Sequence, residues 1–147
     1  MRIDLRRAAA LLAGLWAGVV LCIGVIGAPA SFAKAPRDIA GQVAGQMFAH
    51  EAYVSLGVAL VLLMVIRRSS RADVEAGKGS VLSANVLLVL GALFCTVLGY
   101  FALQPMIVAS KAGQGALSFG ALHGISAAFF VLKGLLVLVL AWRLSAA

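Results

Sequence analysis

Charge is what this sequence has least of. Only 12% of its 147 residues are Asp, Glu, Lys or Arg, and just five are acidic. Soluble domains run at about 25% charged, so this chain cannot cover its own surface for water. Cysteine is almost as sparse. Cys22 and Cys95 both sit in apolar runs with no CxxC spacing, which gives no disulfide framework or zinc ribbon and leaves both as small buried hydrophobes. His50 and His123 are the two histidines, and no HxxxH or ExxH pair accompanies them, so neither zincin nor di-iron bundle chemistry has a seed. There is no phosphate-cradling glycine loop and no Ser/His/Asp order, so no enzymatic activity is expected.

What is present is apolar. Hydrophobic residues make up 63% of the chain and the mean hydropathy is +1.08. They fall into four runs, at about residues 8–33, 47–66, 81–104 and 117–142. About 20 apolar helical residues cross a bilayer, so the expected fold is all-α: a four-helix transmembrane bundle in one integral membrane domain, 1–147. The first run is longer than the h-region of a cleaved signal peptide, although Ala28, Ala30, Ser31 and Ala33 offer small residues for cleavage. It also carries Gly14 and Gly18, a small-xxx-small step suited to close helix contact. From Pro36 the pattern turns amphipathic, with Ile39, Val43 and Met47 beside Asp38, Gln42 and Gln46, which reads as a short interfacial helix leading into the second span. Ser80 or Ser83 offers an N-cap for the third run, which Pro105 is expected to kink or close.

The net charge of +7 raises nucleic acid as a partner, but the basic residues lie in short flanks beside hydrophobic runs, the pattern of anionic lipid contact. The expected partners are the lipid bilayer and further copies of the chain, with no nucleic acid. Arg2, Arg6, Arg7, Arg67, Arg68, Arg71, Lys78 and Arg143 fall on one side of the membrane and Lys34, Arg37 and Lys111 on the other. The positive-inside rule then places both termini in the cytoplasm of a cell whose inner membrane holds the chain.

That orientation brings the scarce polar groups to one level. The charge-free part of the second run, residues 52–66, is too short to cross alone, so His50 and Glu51 are drawn into the outer shoulder of the membrane. Tyr100 and Gln104 end the third run there, and His123 and Ser126 begin the fourth. Gly120 and Gly124 flank His123, as a close neighbouring backbone would require. Three readings compete for this cluster of His50, Glu51, Tyr100, Gln104, His123 and Ser126. It binds or moves a small solute, a cation or a proton shared between imidazole and carboxylate; it only specifies helix pairing; or His50 and His123 serve as axial haem ligands. No cofactor is expected under the first two. Lys133 is an intramembrane charge whose stem is expected to snorkel toward the headgroups near Arg143.

Three segments resemble a known family: APASFAKAPRDIAGQVAGQMFAHEAY (28–53), YFALQPMI (100–107) and FGALHGIS (119–126). They are similar to the bacterial branch of the transmembrane-protein-205-like family, also called domain-of-unknown-function family 4149. The resemblance implies a small four-span membrane protein of unestablished activity. It carries over His123, Gly124 and Ser126 as motif positions, with Pro29, Phe32, Phe48, Gln104 and Pro105 beside them, and assigns none a catalytic role.

Overall fold

The structure is a computed structural model that describes residues 5–77 and 80–146; Arg2 and Lys78, which enter the charge pattern, lie outside the described residues. Four helices are long and apolar enough to cross a membrane: α1, Leu5–Lys34; α2, Arg37–Glu75; α3, Ala84–Lys111; and α4, Phe119–Ser145. Each buries only part of its surface inside the bundle, as expected where the outer face meets lipid.

Local chemistry sets the helix ends. Ala35, which precedes Pro36, is extended at φ −121° and ψ 155°, so α1 stops and α2 starts two residues later. Ser83 caps α3 by accepting from the Val86 N–H, and Ser118 caps α4 by accepting from the Ala121 N–H. At the end of α3, Gly113 takes φ +73°, which lets the Gln114 N–H reach back to the Ala109 carbonyl at 2.9 Å and close the turn toward α4.

The helices form a four-cornered bundle. α1 packs on α2 and α4, and α3 packs on the same two, which leaves α2 and α4 facing each other across the diagonal. The core fills one half of its length. Trp16, Val20, Leu62, Val86, Val89, Val137 and Leu140 are buried there together. Ser70 donates to Ser83 at 3.1 Å and Arg143 donates to Asn85 at 2.9 Å, tying the ends of α2 and α4 to the start of α3.

The elements bear out one detail of the sequence reading and depart from it at the prolines and the glycines. The amphipathic stretch after Pro36 is helical and leads into the second span, α2 running unbroken from Arg37; an amphipathic start and an apolar continuation share one helical path with no cap or breaker between them. Pro105 does not close α3, which continues to Lys111. Each internal proline is preceded by a π-helical stretch, Cys22–Gly27 before Pro29 and Val97–Ala102 before Pro105. A proline withholds its N–H from the carbonyl four residues back and crowds it, and the wider π turn absorbs the mismatch without ending the helix. Lastly, Gly14 and Gly18 make no close contact: a Cβ at either would meet nothing within 4 Å. Gly120 and Gly124 are equally open. The close approaches lie at Gly99, where an added Cβ would sit 2.6 Å from Phe129 Cβ, and at Gly24, 2.7 Å from Phe130 Cε1.

Candidate functional site

The site is built on a buried ion pair joining the two diagonal helices. Glu51 of α2 is 2% exposed and Lys133 of α4 is 3% exposed. Lys133 Nζ donates to Glu51 Oε1 at 2.8 Å and to Oε2 at 2.6 Å, and it also lies 4.9 Å from the centre of the Phe130 ring. One turn along α2, Ser55 Oγ donates to Glu51 Oε1, and Trp16 Nε1 of α1 donates to Ser55 Oγ at 2.8 Å. Stripping water from two such charges costs several kcal/mol per ion, so the pair persists only because both carboxylate oxygens are filled and the ammonium is held on three sides.

Above this pair, toward the Ala35–Pro36 and Gly113 connections, the helices part around a cavity of about 480 Å³ lined by all four of them. Glu51 and Lys133 border it, together with Thr96 and Cys95 of α3. Its walls are mostly apolar and small: Phe48 and Phe130 meet edge-on at 5.0 Å, and Gly41 and Gly45 of α2 face space in which an added Cβ would touch nothing within 4 Å. At the rim, His123 stacks on Phe119 at 5.6 Å and Lys111 Nζ lies 5.2 Å from the same ring centre. An apolar hollow with a few convergent polar groups is the usual form of a small-molecule site, and its volume falls in the usual range of about 300–1,000 Å³.

Of the residues singled out from sequence, Glu51, Tyr100, Gln104, His123, Ser126 and Lys133 all line this cavity, and His50 does not. His50 is exposed, with Nδ1 held 2.9 Å from the Gln46 carbonyl of its own helix. The cavity therefore takes one of the two histidines, and a bis-histidine haem arrangement is not formed within it. Among the described residues no group of three or more His, Cys, Asp or Glu comes together. Ser126 Oγ donates to the Gly99 carbonyl at 2.6 Å, filling an acceptor inside the π stretch of α3, where the Leu103 N–H turns to Tyr100 instead.

Lys133 corrects the sequence reading. It does not snorkel toward Arg143 but turns the other way, to Glu51. Side chains on a helix lean toward its N-terminus, so the stem of Lys133 already points away from Arg143 and up the bundle. Glu51 accordingly pairs with an ammonium and not with an imidazole. Two partners escaped notice in the sequence, Ser55 and Trp16. Both left a signal: Ser55 lies four residues from Glu51 on one helix face, and a buried indole N–H needs an acceptor.

A family model described as "Domain of unknown function (DUF4149)" matches residues 11–116. The matched range takes in Glu51, Tyr100 and Gln104 and ends before FGALHGIS, so His123, Ser126 and Lys133 lie beyond it. No curated protein and no solved structure matches the chain.

Proposed function

The chain belongs to the DUF4149 family, and from that premise we propose that it is an integral membrane protein that binds a small solute in a cavity opening on the outer face of the membrane. One observation carries this reading: a hollow of about 480 Å³ between all four helices, ending on a buried ion pair. A hollow of that size leaves much of four helices without side-chain contact, a cost that a structural spacer has no reason to bear. The Glu51–Lys133 pair seals its base, since Ala52, Ser55, Ala59 and Leu62 of α2 are fully buried beyond it. A solute entering at the rim thus meets a closed floor, and onward movement requires that floor to rearrange.

The side of entry follows from charge. Among the described residues, Arg6, Arg7, Arg67, Arg68, Arg71 and Arg143 flank the end that holds the α2–α3 connection, against Lys34, Arg37 and Lys111 at the rim end, which supports cytoplasmic termini in a bacterial inner membrane. The resemblance of residues 28–53, 100–107 and 119–126 to bacterial transmembrane-protein-205-like chains is consistent with that placement.

A thermal-shift screen of small organic acids, amines and neutral solutes on protein in lipid nanodiscs tests the reading. Gly45→Leu fills the hollow without a clash at Cβ. Compounds that stabilise the wild-type protein should fail to stabilise this variant; a ligand at 100 times its Kd adds about 2.7 kcal/mol. Compounds that stabilise both proteins equally would place binding elsewhere and refute the proposal.

A further inference from the structure

We infer that the solute is a small organic monoanion with an apolar, preferably aromatic body, its carboxylate held at the rim by Lys111; this rests on the cavity being a binding site. The charge inventory of the cavity leads there. Its charged lining residues are Glu51, Lys111 and Lys133. Glu51 is consumed, because Lys133 takes both its oxygens and Ser55 takes Oε1 as well. That pair is neutral as a unit. Lys111 is the remaining charge, and among the described residues it forms no ion pair; its contact is the face of Phe119. The hollow therefore presents one uncompensated positive charge at its mouth.

The neutral polar groups near that charge fit the same head group. The Gln104 amide and the His123 imidazole line the cavity and make no hydrogen bond to another described residue, and each offers an N–H to a carboxylate. The rest of the lining suits a flat apolar body. Phe48 and Phe130 present ring edges and faces beside the bare backbone of Gly41 and Gly45. A cationic ligand would meet Lys111 at the entrance and find the single carboxylate already occupied. A neutral ligand could accept hydrogen bonds from Gln104 and His123 but would gain no charge pair with Lys111.

Isothermal titration of the full chain in phosphatidylcholine nanodiscs, with empty discs subtracted, decides the matter using 4-phenylbutyrate, 4-phenylbutanol and 4-phenylbutylamine. The three probes share a body and differ in head-group charge. The butyrate should bind about two- to fivefold more tightly than the alcohol, the gain expected from a partly exposed charge pair, and the amine most weakly. Lys111→Gln should abolish that preference chiefly by weakening the butyrate, and Lys111→Arg should restore it. Equal binding of all three probes, lost in Gly45→Leu, would overturn the anion assignment and leave the cavity reading standing. Failure of every probe to bind would overturn both. Loss of the butyrate preference in discs of anionic phosphatidylglycerol would assign the rim charge to lipid headgroups and overturn the free-anion proposal.

Discussion

Removing either partner of the Glu51–Lys133 pair strands a charge where water hardly reaches, and that asymmetry makes the pair's role measurable. Lys133→Met and Glu51→Leu should each lower stability by about 3–5 kcal/mol, as single truncations of buried pairs do. The double variant should lose far less than the sum, because no unpaired charge remains. Detergent-denaturation curves on the purified protein give all three values. Additive losses would mean the two groups do not pair in the folded protein. The sequence exposed both residues but not their meeting. Lys133 lies 82 positions from Glu51, and nothing local indicates that α2 and α4 face one another. What was readable was the lean of the lysine stem along its helix.

Among the elements, the glycines separate close packing from mere smallness. Gly99→Ala puts a Cβ 2.6 Å from Phe129 Cβ, an atom fixed to the α4 backbone, so α3 and α4 must move apart at a cost of about 1–3 kcal/mol. Gly24→Ala meets Phe130 Cε1 at 2.7 Å, the far end of a ring that borders the cavity and can turn away, so its cost should be smaller. Gly14→Ala meets nothing and should stay within about 0.5 kcal/mol of the parent. Thermal unfolding of the three variants checks this order; equal losses at Gly14 and Gly99 would contradict the packing described. In the sequence all three glycines look alike, since each lies in an apolar run with no marker of the face it occupies. The π stretches were hidden for a related reason. Pro29 and Pro105 signal that a helix is disturbed, but whether it ends or widens depends on neighbours that fill the freed carbonyls, as Ser126 does for Gly99.

For the molecule as a whole, four apolar stretches were legible because the bilayer demands a fixed length of unbroken hydrophobicity. Their edges were less so. All four helices extend past the apolar runs at one end or both, because helical hydrogen bonding does not stop where hydropathy does. Span counting grouped Glu51, Tyr100, Gln104, His123 and Ser126 but misjudged their depth: Glu51 pairs with Lys133, ten residues along α4 from His123, so it lies at the floor and His123 at the rim, and the hollow between them depends on helix separation, which no run of residues encodes locally. A cavity open on one side and sealed at Glu51–Lys133 has a direct consequence for access by water. In a background of Cys22→Ser and Cys95→Ala, a cysteine placed at Gly45 lies in the hollow, and one placed at Ala59, two turns past Glu51, lies in the closed core. A membrane-impermeant thiol reagent applied to intact cells should label Gly45→Cys rapidly and Ala59→Cys not at all. Equal labelling of the two, or labelling of Gly45→Cys only after the membrane is permeabilised, would show that the hollow is not sealed at the ion pair or does not open outward.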